Sequence, residues 1–251
     1  MDHVIYTAMG AARQTLEHQA VTANNLANAS TPGFKAQLAA LRAVPIEGET
    51  LPTRTLTVAS TPGMDSRQGP MNYTSRPLDV AVGQGGYLAV QLEDGTEAYT
   101  RNGSIQISPE GQLMVQGRML MGENGPIDVP PQAELTIATD GAISALIASD
   151  PPTLLGQIGK LKIVKPEANQ VVRGDDGLFH LTPQAREQQG DELATSTEVK
   201  IMPGVLEGSN VNPVESMVNM IANARRFEMQ MKVIHSSDEN AQRANQLLAM
   251  S

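Results

Sequence analysis

Apolar side chains near the N-terminus recur every three or four residues. The stripe has seven members: Ile5, Met9, Ala12, Leu16, Ala20, Ala23 and Ala27. Residues 3 to 29 contain no proline and one glycine, so this spacing predicts a single amphipathic helix. Pro32 should end it by moving Thr31 out of the helical conformation, and Gly33 accepts whatever φ the turn requires. A stripe with so much alanine leaves open what the helix packs against.

The C-terminal pattern predicts a longer helix. Residues 214 to 250 contain neither proline nor glycine. A start signal precedes them, with Asn212 as the cap, Pro213 at the first helical position and Glu215 three residues after the cap. The apolar stripe has nine members: Val214, Met217, Ile221, Ala224, Phe227, Met231, Ile234, Ala241 and Leu248. About 37 residues give a helix of about 55 Å, a length typical of a coiled coil or a packed bundle.

Between these helices apolar residues alternate with other residues, a period that predicts β-strands. The runs are Leu78, Val80 and Val82; Leu88, Val90 and Leu92; Ile105 and Ile107; Leu113 and Val115; and Leu135 and Ile137. Five dipeptides among them are typical of turns: Asp94-Gly95, Glu110-Gly111, Gln116-Gly117, Asp140-Gly141 and Asp176-Gly177. Short strands with frequent turns indicate an antiparallel, all-β middle domain.

These patterns predict an α+β chain with four consecutive segments. Residues 1–35 form the N-terminal helix, 36–77 an extended arm or hairpin, 78–203 the β-rich middle domain, and 204–251 the C-terminal helix. We expect the terminal helices to pair as a coiled-coil-like inner domain into which the all-β domain and the arm are inserted. Isolated helices depend on tertiary packing for stability, so each terminal helix needs the other, or other copies of the chain.

Composition narrows the function classes. The formal net charge is −9 and the sequence pI is near 4.9, so binding to nucleic acid or to an anionic membrane is not expected. The chain has no cysteine, which excludes disulfides, thiol catalysis and cysteine-based zinc sites. No segment is apolar enough for a membrane span. The opening "MDHVIYTAMGAARQ" carries an early acid and no continuous apolar run, so we expect no cleaved secretory signal.

Catalytic and ligand-binding motifs are not evident. No two of the four histidines, at positions 3, 18, 180 and 235, are at helical ligand spacing. Asp175 and Asp176 are typical of a solvated turn. The "GQGG" at 83–86 fails the dinucleotide pattern, because Leu88 occupies the place of its last glycine. We therefore predict no catalytic residue, no cofactor-binding residue, no cofactor and no metal site.

Three longer stretches of the sequence resemble segments of known proteins. They are "ANNLANASTPGFK" (23–35), "RPLDVAVGQGGYLAV" with "GTEAYTRNGSIQISPEGQL" (76–113), and "VLEGSNVNPVESMVNMIANARRFEMQMKVI" (205–234). In this order they resemble segments of the rod and hook family of bacterial flagellar axial proteins. The stretches "MDHVIYTAMGAA" and "IANARRFEMQMK" are most similar to its proximal rod members. Distal rod members are the alternative, and the length excludes the much larger hook protein.

The resemblance implies a structural subunit of the proximal rod of the flagellar basal body, and not an enzyme. Such subunits polymerise through their terminal helices into a helical tube that transmits torque and encloses the export channel. The implied partners are copies of the chain, other proximal rod subunits, the distal rod protein, and the export apparatus and rod cap during assembly. The implied location is the rod in the periplasm, reached by export without a cleaved signal peptide. Neither nucleic-acid binding nor membrane insertion is implied.

The resemblance also implies an interface at both ends of the chain. Its predicted N-terminal members are Val4, Ile5, Met9, Leu16, Asn24, Asn25, Leu26, Asn28, Thr31, Gly33 and Phe34. Its predicted C-terminal members are Val214, Met217, Ile221, Arg225, Arg226, Phe227, Met231 and Ile234. In this interpretation small side chains let helices approach closely, and asparagine amides fix their register. Two alternatives remain: helices that pack only within the chain, and a dimeric β-domain that binds a ligand.

Overall fold

The computed structural model describes residues 2–45, 55–131, 133–147, 156–167, 169–174 and 176–249. The chain divides into two compact units. The helical unit comprises Met1–Ala29, Ala36–Asp65 and Val211–Ser251, and the β-rich unit comprises Ser30–Lys35 and Ser66–Asn210. Both units combine separate stretches of chain, whereas the four segments predicted from the sequence are consecutive. The predicted boundaries of those segments stay a prediction.

The elements follow the order expected from the sequence: along the chain, the strands come between two long helices. The helices are α1 (Asp2–Ala27), α2 (Pro183–Gln189) and α3 (Pro213–Ala249). The strands are β1 (Gln37–Pro45), β2 (Thr55–Met64), β3 (Met71–Tyr73), β4 (Val80–Val82), β5 (Tyr87–Gln91), β6 (Glu97–Thr100), β7 (Ile105–Ile107), β8 (Leu113–Val115), β9 (Arg118–Gly122), β10 (Gly125–Pro126), β11 (Ala133–Ile137), β12 (Ala142–Ile147), β13 (Gly156–Lys160), β14 (Ile163–Val164), β15 (Val171–Arg173), β16 (Phe179–Leu181), β17 (Ile201–Pro203) and β18 (Val205–Glu207).

The two long helices confirm the prediction of N- and C-terminal helices. At the start of α3, the Asn212 Oδ1 accepts the N–H groups of Val214 and Glu215 at 3.1 and 3.3 Å, which is the predicted N-cap. Beyond α1, Gly33 has a φ of 70°, the left-handed conformation that glycine tolerates best. Among the described residues, no helix is both long enough and apolar enough to cross a membrane.

A β-hairpin packs against α1 in the helical unit. Its strands β1 and β2 pair antiparallel, from Gln37 opposite Met64 to Pro45 opposite Thr55. The Asn25 side chain of α1 bonds to both the N–H and the C=O of Gln37, each at 2.9 Å. The first part of the predicted arm, residues 36–77, is therefore a hairpin within the described residues, and its residues 46–54 lie outside them.

The middle of the chain is β-rich, as predicted, and every strand pair described is antiparallel. One sheet has the order β15-β16-β6-β5-β9-β8-β7, with β10 paired to β9 and β14 to β5, and a second has the order β11-β12-β13. Two smaller pairs are β17-β4 and β18-β3. The Gln116-Gly117 turn joins β8 to β9 with positive φ at both residues, 53° and 77°, which is the geometry of a tight hairpin turn.

The prediction of an all-β middle was wrong at one place. Helix α2 occupies seven residues there, and the Thr182 Oγ1 caps it by accepting the Ala185 N–H at 3.3 Å. A Thr-Pro start is a recognisable helix signal, but seven residues are too few for a hydrophobic stripe to stand out.

The core of the β-rich unit is aliphatic, with Val80, Leu88 and Leu120 fully buried.

Candidate functional site

Small and polar side chains fill the contact between α1 and α3. The buried side chains of the helical unit are Ala8, Ala12, Thr15, Thr22, Ser216, Asn223 and Ser237; we call them the helix seam. Among the described residues of this unit, no apolar side chain larger than alanine is buried. The seam therefore brings the two helices together without fully burying a large apolar side chain among the described residues.

Polar contacts cross the seam and set the direction of the helices. The Thr15 hydroxyl and the Gln230 amide are bonded at 3.1 to 3.2 Å. One helical turn later on α1, the His18 Nδ1 lies 2.8 Å from the Asn223 Nδ2. Residue numbers rise on α1 as they fall on α3, so the helices are antiparallel. Thr15 and Thr22 also bond to backbone carbonyls one turn back, at 2.9 and 2.8 Å, which satisfies their buried hydroxyls.

Most of the large apolar side chains of both helices are exposed instead. Those exposed on the two helices are Val4, Tyr6, Met9, Leu16, Val214, Met217, Val218, Ile221, Met229, Met231, Val233 and Leu247. Four of them, Val214, Met217, Val218 and Ile221, occupy i, i+3, i+4 and i+7 and so share one face of α3; we call this the α3 ridge. Their exposed fractions are 70, 52, 59 and 56%. An exposed apolar face of this kind marks a site of interaction.

The structure places the residues of the predicted interface in three environments. The exposed ones are Val4, Met9, Leu16, Asn24, Val214, Met217, Ile221, Arg225, Arg226 and Met231, and the half-buried ones are Ile5, Asn25, Leu26, Asn28, Thr31, Phe227 and Ile234. Gly33 and Phe34 are buried. The Asn28 amide bonds to the Asn24 C=O within α1 at 2.9 Å. The role of these residues between subunits stays a prediction.

A buried ion cluster organises the β-rich unit around Glu207, which is 1% exposed. The Lys35 Nζ lies 2.6 Å from its Oε1, and the Arg101 Nε lies 2.9 Å from its Oε2. The Gly69 N–H donates to Oε1 at 3.0 Å, and the Gly33 N–H donates to the Glu207 backbone C=O at 2.7 Å. Both carboxylate oxygens therefore have partners, as a buried carboxylate requires.

The cations of this cluster are also fully bonded. The Lys35 Nζ donates to the Arg67 C=O at 2.6 Å. The Arg101 guanidinium donates to the Gly86 C=O at 2.6 Å and to the Val82 C=O at 3.0 Å. These bonds tie strands β4 and β18 and the loop before β5 to one carboxylate. Removing the Glu207 carboxylate would leave two buried cations without their ionic partner, which is strongly destabilising.

Residues 33 and 34 pack tightly within this unit. A Cβ on Gly33 would lie 2.4 Å from the Arg101 backbone carbon, a distance that no side chain can accommodate. The Phe34 ring lies under the Arg173 guanidinium, 4.0 Å from the ring centroid, which is a cation–π contact. Gly33 and Phe34 therefore serve the β-rich unit of their own chain.

The charges around Glu207 determine its ionisation. Burial alone would raise the pKa of its carboxyl group, but Arg101, the Lys35 ammonium and the Gly69 N–H act against burial and hold the pKa below its ordinary value of 4.5. The carboxylate is therefore ionised in the folded protein at neutral pH.

No group of three or more metal-ligating side chains occurs among the described residues.

The sequence analysis missed the cluster, although its members lie inside the three stretches quoted there. Lys35 ends "ANNLANASTPGFK", Arg101 lies in "AYTRNG", and Glu207 lies in "VLEGSN". The available signal was a charged residue in each of the three stretches, although the second and third also hold several other charged residues. Opposite charges 106 and 172 residues apart in the chain cannot be paired from spacing alone.

Comparisons with known proteins match the same three stretches. "Flagella basal body rod protein" covers residues 5–35, "Flagellar hook protein FlgE/F/G D1 domain" covers 81–145, and "Flagellar basal body rod FlgEFG protein C-terminal" covers 202–247. The chain is 64% identical to "Flagellar basal-body rod protein FlgF" of Salmonella typhimurium and 63% identical to that of Escherichia coli, each over the whole of both chains. It is 32% identical to "Flagellar basal-body rod protein FlgG" of Buchnera aphidicola (subspecies Acyrthosiphon pisum), over 90% of this chain and 92% of that protein.

The buried carboxylate gives a pH-dependent prediction. Because the folded pKa of Glu207 is depressed, its contribution to stability is present above pH 4.5 and is lost as the pH falls through the folded pKa. Glu207→Gln should lower the free energy of unfolding at pH 7 by about 3–5 kcal/mol, and this difference should shrink below pH 4. Urea unfolding of both proteins between pH 7 and pH 3 measures it.

Glu198→Gln is the matched control for this prediction. Glu198 also pairs with a lysine, Lys165 at 2.8 Å, but its side chain is 75% exposed, so solvent screens the pair and the change should be much smaller. The account would be contradicted if the difference in unfolding free energy between the wild-type protein and Glu207→Gln stayed constant from pH 7 to pH 3.

Close packing at Gly33 gives a second prediction. Gly33→Ala and Gly95→Ala both place a Cβ on a residue with positive φ, 70° and 83°. Only the alanine at position 33 clashes, because nothing lies within 4 Å of the Cβ at position 95. Gly95→Ala should cost about 1–2 kcal/mol of unfolding free energy, and Gly33→Ala at least twice as much. Thermal unfolding of both variants measures the two losses. Equal losses of unfolding free energy would show that the close contact between position 33 and Arg101 is unimportant.

Proposed function

Because the chain belongs to the flagellar basal-body rod protein family, we propose that it polymerises through α1 and α3 into the proximal part of the rod. The family is structural, so the chain is a rod subunit of the flagellar basal body and not an enzyme, and it assembles with other rod proteins. The proposal concerns how it does so: which surfaces join, and what the assembly encloses.

One observation carries the proposal: the fully buried side chains between the helices are small or polar, while most of the large apolar side chains of the helix pair are exposed. Fully burying a valine, leucine, isoleucine or methionine side chain contributes about 1.5–3 kcal/mol. The α3 ridge alone is more than half exposed at each of its four positions, so its coverage by a neighbour would add about 1 kcal/mol per residue. Over the four residues of the ridge the gain is about 4 kcal/mol. This is close to the lower end of the free energy of unfolding of a whole domain, about 5–15 kcal/mol.

We further propose that α1 and α3 pair in the manner of a coiled coil. Their buried and half-buried positions include Ile5, Ala8, Ala12, Thr15, Gln19, Thr22 and Leu26 on α1, and Ser216, Met220, Asn223, Phe227, Gln230, Ile234 and Ser237 on α3. Spacings of three and four alternate through both sets, which is the heptad pattern. Small and polar residues in such a seam support close approach of the helices and a defined register.

In the proposed assembly the helices of many subunits form the inner wall of a tube. The tube transmits torque and encloses the export channel, through which each subunit arrives unfolded and without a cleaved signal peptide. Its neighbours are copies of itself, other proximal rod subunits and the distal rod protein, and the export apparatus and rod cap act during assembly. The rod spans the periplasm. The identity of 64% to a FlgF protein, against 32% to a FlgG protein, supports the proximal position over the distal alternative.

Charges placed on the α3 ridge test this proposal. The double substitution Met217→Glu and Ile221→Glu adds two acids to an exposed face, so the subunit should fold while its assembly is blocked by the cost of burying them. Basal bodies isolated from bacteria that carry only this variant should lack the subunit, and the cells should not swim. Circular dichroism and urea unfolding should show an unchanged β-rich unit.

Val172→Glu is the control, since Val172 is 53% exposed in the β-rich unit and lies outside the helices. This variant should assemble normally. Normal basal bodies from the double variant would rule out assembly through this face of α3.

A further inference from the structure

A groove of about 520 Å³ runs along one side of the α1–α3 pair. Ala8 and Ala11 line it with small side chains that are buried or half-buried, whereas Val4, Met229 and Val233 beside them are exposed. Arg226 also lines the groove and is its charged member. The result is an apolar concavity on the helical unit with one cation at its border.

The α3 ridge matches the groove in apolar character and has a border charge of the opposite sign. It presents four branched or long apolar side chains on one face, and its residues are not among those that line the groove. Glu215 lies three positions before Val218 and is therefore its neighbour on the helix surface. The ridge is a convex apolar surface with an acid at its border.

The two border charges, on Glu215 and Arg226, are opposite in sign, and neither has an ion pair of its own among the described residues. Among the described residues, neither Glu215 nor Arg226 forms a salt bridge, and both are exposed. They are 11 positions apart on α3, which separates them by about 16 Å along the helix. A pair between them within one chain is excluded by that distance, whereas a pair between two chains is not.

We propose that the α3 ridge of one copy docks in the groove of a second copy, with Glu215 of one facing Arg226 of the other. This inference rests on the proposed function and specifies the contact through which the helices polymerise. Because ridge and groove are different surfaces of the same chain, the contact is head-to-tail: after binding, the first copy still has a free groove and the second still has a free ridge. Such a contact propagates along an open helical assembly, whereas a contact of a surface with its own copy closes a dimer.

Introduced cysteines test the contact directly, because the chain has none of its own. Val218→Cys places a thiol on the ridge and Met229→Cys places one in the groove. Basal bodies from cells that carry both substitutions in one chain, treated with a short bismaleimide, should yield a ladder of cross-linked copies. Cells that co-express the two single variants should yield dimers, and either single variant alone should yield none. Val172→Cys, exposed in the β-rich unit, should also yield none.

The outcomes separate this contact from the proposed function. Dimers of the Val218→Cys variant alone would show ridge-to-ridge pairing and overturn the proposal. Cross-links only to a different rod protein would overturn it as well. If the cysteine variants are present in basal bodies but are not cross-linked to one another, the proposed function stands and this contact is wrong. If the wild-type chain is missing from basal bodies, the proposed function itself fails.

Charge reversal tests the pairing of Glu215 with Arg226. Glu215→Arg or Arg226→Glu alone places like charges opposite each other and should reduce incorporation into basal bodies about 5- to 10-fold. The double variant restores opposite charges and should recover at least half of normal incorporation. The reversal of Arg225, as Arg225→Glu, is the control, because Arg225 is adjacent in sequence but does not line the groove. Additive losses in the double variant would overturn the pairing.

Discussion

Among the described residues, the fully buried side chains of the helix seam are all small or polar, and the rest of the helical unit follows from that constraint. Alanine, serine and threonine allow close approach, and Thr15 and Asn223 use hydrogen bonds with the opposite helix where other helix pairs use leucine. Hydrophobic burial is the main source of folding free energy, so a pair joined in this way gains little from its own contact. Most of its methionines, valines and isoleucines remain exposed to water. The unit is consistent with a part whose packing is completed by neighbours.

The β-rich unit is stabilised in a different way from the helical unit. It has its own aliphatic core, and the Glu207 cluster connects three distant parts of the chain within it. Buried charges of this kind stabilise less than a well-packed apolar core would, but they tolerate no missing partner and so favour one arrangement. Lys35 comes shortly after α1 in the chain, and Glu207 comes shortly before α3. The cluster therefore joins, within the β-rich unit, a segment that follows α1 in the chain to a segment that precedes α3.

Local signals explain what the sequence predicted well. The Asn212 cap and the Gly33 and Gln116-Gly117 turns each depend on neighbouring residues, and the structure confirms them. Long-range features were not predictable in this way. The pairing of Lys35, Arg101 and Glu207 depends on the fold of the whole unit. Hydrophobic periodicity selected Met9 and Leu16 on α1, which are exposed, while the buried Thr15 and Thr22 carry no apolar signal.

Hydrogen–deuterium exchange on a dilute monomer tests the central claim, that the terminal helices are completed only on assembly. We expect the amides of α1 and α3 to exchange within seconds, because their opening costs little free energy, while the amides of β4 and β5 stay protected far longer. In isolated basal bodies the helix amides should become protected. Helices as well protected in the monomer as β4 and β5, with no tendency to polymerise at higher concentration, would contradict the account.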